Sequence, residues 1–120
     1  MRIGGLDHVQ LAIPATGLDE ARRFYGDLLG FEEQERPPGR RPGLWFRAGA
    51  AVLHLGVEEP FAPARKAHPA FLVADLDAAA DELRSSGCRV VPAEGARFHT
   101  FDPFGNRVEL LQDGEGFSQS

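Results

Sequence analysis

The chain has 120 residues, of which 42% are hydrophobic and 26% charged, with a formal net charge of -5. That length suits one domain or two half-sized modules sharing a core, and the apolar content argues against extended disorder. No run approaches the roughly 18 apolar residues of a membrane span, the single cysteine, Cys88, excludes an internal disulfide or a cysteine zinc cluster, and the acidic balance argues against a nucleic-acid partner.

The opening Met1-Arg2-Ile3-Gly4-Gly5 lacks a signal-peptide pattern, so a cytoplasmic protein is expected. In chain order, 6–13 then alternates Val9, Leu11 and Ile13 with His8, Gln10 and Ala12, the period of a strand with two unlike faces. Pro14-Ala15-Thr16-Gly17 ends it, and Thr16 or Asp19 is placed to cap a helix. The apolar stripe of that helix is Leu18, Ala21, Phe24, Tyr25 and Leu28, and Gly30 stops it. Strands are predicted over 31–35, 44–47 and 51–57, with an irregular Pro- and Gly-rich loop at 36–43. After a second loop, 58–67, the order returns. A strand over 70–74 leads to a helix stripe of Leu76, Ala79, Ala80 and Leu83, closed by Gly87. Strands follow over 88–91, 97–101 and 107–111, the last two joined by the turn residues Asp102-Pro103-Phe104-Gly105-Asn106. The polar tail that begins at Gln112 is expected to fray over 113–120.

The chain thus reads as strand, helix and three strands, twice over. Leu18-Asp19 and Leu76-Asp77 open the two helices, and Gly30 and Gly87 close them at nearly the same offset. An internal duplication is implied, with modules at about 5–58 and 67–112 of a single domain.

The duplication makes the ionisable residues interpretable. His8 starts the first strand of one module, and His68 immediately precedes that of the other. His54 and Glu109 lie in the two fourth strands, within Val52-Leu53-His54-Leu55 and Arg107-Val108-Glu109-Leu110. Each opposes apolar neighbours, so each is expected on the side of its sheet away from the helix. A lone strand histidine is ordinarily structural. Three imidazoles and a carboxylate on related positions instead suggest one divalent ion, Zn, Ni, Mn or Fe, with open coordination. Gln10, Trp45 and Arg97 are the expected substrate contacts, although sequence leaves the register of the 97–111 hairpin open. Trp45, Phe46, Phe98 and Phe101 are aromatics that a planar ligand could use. Arg36, Arg40, Arg41, Arg65 and Lys66 lie in the two loops that could rim a groove. His99 has no evident counterpart and stays outside the set, and Cys88 reads as a small buried residue.

Asp7-His8-Val9-Gln10-Leu11-Ala12-Ile13, Phe24-Tyr25-Gly26-Asp27-Leu28-Leu29-Gly30-Phe31 and Asp102-Pro103-Phe104-Gly105-Asn106-Arg107-Val108-Glu109-Leu110 resemble the vicinal oxygen chelate superfamily. That group includes glyoxalase I, bleomycin-binding proteins, extradiol dioxygenases and fosfomycin-resistance transferases. The resemblance covers about residues 5–112. It implies an α+β fold of two βαβββ modules pairing into an open, curved β-barrel, often across a homodimer. It also implies metal positions at His8, His54, His68 and Glu109, and makes Glu109, which matches the ligand usually assigned as base in glyoxalase I, the expected catalytic group. The implied activity is a metal-dependent isomerase or lyase on a small substrate with adjacent oxygens. The alternatives are a metal-free binder of the bleomycin-resistance kind, an Fe(II) ring-cleaving dioxygenase and a fosfomycin-resistance-type transferase. His54 stands where glyoxalase I has a carboxylate, which changes that enzyme's acid-base pair.

Overall fold

In the computed structural model, which describes residues 1–114, the first apolar alternation forms strand β1 (Val9–Ile13). It starts three residues later than predicted. Leu6 is 86% exposed, with nothing to pack against, so the segment before Val9 stays outside the sheet. The chain divides into two units, Met1–Ala62 and Pro63–Ser120.

In the first unit, β1 is followed by a single 3-10 turn, Ala15–Gly17, and by helix α1 (Leu18–Ala21). The helix continues as a wider π-type stretch, Arg22–Leu28, where the Leu29 N–H reaches back five residues to the Phe24 carbonyl at 2.9 Å. Neither Thr16 nor Asp19 caps this helix. Gly17 takes the cap position without a side-chain bond, because Ala15 donates its N–H to the Glu59 carboxylate at 2.6 Å and the chain tightens there. Asp19 instead accepts from Arg22, whose Nε also donates to Glu33 at 2.9 Å. Strands β2 (Glu32–Gln34), β3 (Gly43–Ala48) and β4 (Ala51–Val57) complete a sheet of order β1-β4-β3-β2. β1 runs parallel to β4, as a helical crossover requires, and the other pairs are antiparallel. Leu11, Ile13, Leu44, Phe46, Leu53 and Leu55 are buried on one face. The Phe46 ring lies 6.3 Å from both Tyr25 and Phe31, so the aromatic side of the helix and its exit seal that face.

The second unit repeats the plan with β5 (Ala70–Val73), α2 (Leu76–Ser85), β6 (Val91–Ala93), β7 (Arg97–Phe101) and β8 (Arg107–Gln112). Its sheet order is β5-β8-β7-β6, with β5 parallel to β8. Asp75 caps α2 by accepting the Ala78 N–H at 3.0 Å. The strand expected at 88–91 lies further on, at Val91–Ala93. Residues 86–88 still bond back to the end of α2, and Pro92 is tolerated because β6 is an edge strand. Gln112 belongs to β8, not to the tail. Its carbonyl oxygen accepts the Leu76 N–H at 3.0 Å and its amide donates to Ala74, tying the last strand to the start of α2. Of the tail expected to fray, residues 115–120 lie outside the described residues. The hairpin turn forms as predicted: the Asp102 carboxylate accepts from the backbone N–H groups of Phe104 and Asn106, and Gly105 turns with φ +95. The predicted class, α+β with strand-helix-three strands twice, is therefore borne out.

Candidate functional site

Strand pairing fixes which side chains share a face. In the first sheet Gln10, His54, Trp45 and Gln34 lie side by side, and in the second Ala70, Glu109, His99 and Val91 form the matching row. Both rows lie opposite the buried apolar residues of their strands, because successive side chains alternate. His54 and Glu109 are thus true positional counterparts. His8 stands two residues before Gln10, and His68 two before Ala70, so each imidazole reaches its row along the same diagonal.

On the first unit this diagonal is an aromatic column. The His8 and His54 rings stack at 4.1 Å with an interplanar angle of 23°, and His54 stacks on Trp45 at 4.4 Å and 7°. The Arg40 guanidinium lies over the Trp45 ring, 5.4 Å from its centroid. His8 Nδ1 lies 2.9 Å from the Asp7 carboxylate, which only accepts, so Nδ1 donates and Nε2 is the nitrogen turned away from Asp7. The same bond holds Asp7 below its ordinary pKa. Burial, followed by the neighbouring His8, pushes the pKa of His54 down, so this ring stays neutral at pH 7.

On the second unit His68 Nδ1 donates to the Lys66 carbonyl at 2.8 Å, leaving Nε2 to face Glu109 Oε1 at 3.0 Å. Arg97 Nη1 donates to the other oxygen of Glu109 at 2.9 Å. Burial raises the pKa of Glu109, but the bonds and charges of His68 and Arg97 together outweigh it and hold the carboxyl ionised, below its ordinary value.

The four predicted donors therefore stand as two pairs, one in each unit, and no group of three His, Cys, Asp or Glu side chains occurs among the described residues. Their chemistry fits a divalent ion on three counts. His8 and His68 each hand Nδ1–H to an acceptor, the outer support that metal-ligating imidazoles commonly have. The ionised Glu109 carboxylate is the required donor form, and His68 supplies an Nε2 lone pair once the proton it shares with Glu109 is released. Two ligands bound side by side at about 2.0–2.1 Å each stand roughly 3.0–3.4 Å apart, and His68 Nε2 and Glu109 Oε1 are 3.0 Å apart. The stacked pair is different. An ion lies in the plane of any imidazole that binds it, and planes tilted by 23° with centres 4.1 Å apart meet well beyond bonding reach. His8 and His54 can serve the same ion only if the stack opens.

Of the expected substrate contacts, Gln10 and Trp45 share the His54 face, and Arg97 shares the Glu109 face. The four aromatics divide. Trp45 and Phe101 lie on these faces, whereas Phe46 and Phe98 are buried on the helix side, at 1% and 4% exposure, and are unavailable to a ligand. Arg36 is not free to recognise a substrate: it donates to the carbonyls of Gly43 and Arg41 and ties its own loop. His99 has a positional counterpart that the sequence did not reveal: it opposes Glu109 as Trp45 opposes His54. The signal was the turn at 102–106, which sets the β7–β8 register.

The family model described as Glyoxalase/Bleomycin resistance protein/Dioxygenase superfamily matches residues 5–110. Among solved structures, a protein from Bacillus anthracis assigned to the glyoxalase family is 42% identical, with a TM-score of 0.87 over 94% of this chain and 98% of that one. TnmS3, an antibiotic binding protein from Streptomyces sp. CB03234, is 22% identical with a TM-score of 0.72 over 95% and 99%. The fosfomycin resistance protein FosX of Listeria monocytogenes is 18% identical with a TM-score of 0.73 over 93% of each chain. These last two likenesses concern the fold alone. No curated protein matches the chain.

Proposed function

We propose, from the premise that this chain belongs to the glyoxalase/bleomycin resistance/dioxygenase superfamily, that it is a metal-dependent isomerase or lyase of a small substrate with adjacent oxygens. The observation that carries this reading is the paired arrangement Asp7–His8 and Lys66–His68–Glu109, in which both imidazoles hand Nδ1–H to an outer acceptor and His68 Nε2 already lies beside the Glu109 carboxylate. His8, His54, His68 and Glu109 are the proposed ligands, with His54 joining only when it leaves its stack. A divalent ion bound there would supply a Lewis acid for the two substrate oxygens.

The protein's own groups divide the remaining work. Glu109, ionised and gripped by Arg97, is a ligand first; it becomes a base for a substrate proton when Arg97 turns away from it. Gln10, beside His54, offers an amide to a substrate oxygen. Trp45 shields the His54 ring from water on one side. The reading carries with it a homodimer and a cytoplasmic setting.

The test is metal content after repletion with zinc, nickel, manganese or iron and desalting, on protein without a histidine tag. One ion per chain is expected, lost in His8→Ala and His68→Ala, with a smaller loss in His54→Ala. Absence of retained metal under every repletion overturns the reading. It would favour the second one, a small-molecule binder, for which the Arg40–Trp45–His54–His8 column is the supporting observation: a planar ligand could replace Arg40 on the Trp45 face.

A further inference from the structure

The sheet of the second unit carries a charge pattern at odds with the rest of the chain. Its four strands contain a single carboxylate, Glu109, in a protein whose net charge is -5. That carboxylate is already met on both oxygens, by His68 and by Arg97. Two more arginines share its face. Arg107 precedes Glu109 by two residues on β8 and pairs across to Phe101 on β7. Arg89 reaches over the same Phe101 ring, its guanidinium 4.8 Å from the centroid. Neither Arg89 nor Arg107 forms an ion pair among the described residues. His99, opposite Glu109 and edge-on to Phe101 at 5.8 Å, adds a further donor.

Arg89 over the Phe101 ring and Arg107 cross-strand from it put two cations on one face, where they repel each other unless an anion lies near. An oxyanion between them would neutralise both and could accept paired N–H bonds from each fork. Phe101 limits the movement of Arg89, whose guanidinium lies over its ring.

We propose that Arg89 and Arg107 form an oxyanion subsite, so that the substrate bears a carboxylate, phosphate or phosphonate group besides its reacting oxygens. The inference rests on the metal-enzyme reading for its place beside Glu109, but anion binding itself needs no metal.

The experiment follows backbone amide NMR shifts of the full chain, dialysed against chelator, during titration with methylphosphonate and with acetate at low ionic strength. Saturable shifts at residues 99–101 and 107–109 are expected with one or both probes, and the tighter probe identifies the anion class. Arg89→Gln and Arg107→Gln should each weaken binding by about tenfold, as loss of a charge-assisted bond predicts. Arg107→Lys should recover part of it, and Arg23→Gln, an exposed position in the other unit, should leave it unchanged. Amide spectra of each variant report whether its fold persists, and Arg107→Lys preserves the test if the glutamine variant unfolds. No saturable shift, shifts centred on residues 40–41, or equal affinity in the arginine variants would overturn the proposal. Because the titration excludes metal, a failure here is distinct from failure of the metal-content test.

Discussion

His8 and His68 hold equivalent positions, yet their outer partners differ in kind. The partner of His8 is a carboxylate on the adjacent residue, 95% exposed, whereas that of His68 is a backbone carbonyl that no substitution removes. The first support can therefore be deleted without disturbing the core. Asp7→Ala should leave thermal stability unchanged and weaken metal binding by about tenfold or more, measured by competition with a chromophoric chelator. An unchanged affinity would mean that Asp7 is only a surface partner. Cys88 shows a milder version of the same local control: burial raises its thiol pKa and leaves it a poor nucleophile.

Elements transmit these positions. The β7–β8 hairpin puts His99 opposite Glu109 and Phe101 opposite Arg107, and one side chain braces its turn. The Asp102 carboxylate accepts from Phe104 N–H at 2.9 Å, from Asn106 N–H at 2.8 Å and from Asn106 Nδ2 at 2.9 Å, in a site only 5% exposed. Asp102→Ala strands these donors and should cost roughly 2–3 kcal/mol in urea denaturation. A cost below about 0.5 kcal/mol would show that the ladder alone holds the register. The equivalent hairpin of the first unit turns at Gly49 between Ala48 and Ala51, with no comparable carboxylate. That difference hides the duplication from a comparison of turns while leaving the strand rows in step.

At the scale of the molecule, Ile3 and Leu6 are 85% and 86% exposed, and Leu72 on the edge strand β5 is 59% exposed. Large apolar side chains left in water beside an unpaired sheet edge are a liability unless another chain covers them. A homodimer would do so, which supports the association proposed above. Sedimentation at micromolar concentration should give twice the chain mass, and Leu72→Asp should shift the population towards monomer. A wild-type monomer at all concentrations would sink the proposal. Among the described residues no helix is long and apolar enough to cross a membrane.

What the sequence determined by itself was whatever depends on near neighbours. Period-two alternation gave the strands and the faces of His54 and Glu109, glycine placed the helix ends, and Asp102 to Asn106 announced the hairpin. The repeat order then followed from spacing. Only tertiary structure decided features that depend on pairing between distant segments. Glu59 reached back to Ala15 and changed the entry to the first helix, where local propensity had favoured Thr16 or Asp19 as a cap. Gln112 left the tail because the start of α2, far away in sequence, offered it partners. Cross-strand register joined Arg97 to Glu109, placed His99 beside it, and stacked His8 on His54. Alternation tells which face a residue takes, but a neighbour across the sheet is set by the ladder, whose register no single strand contains.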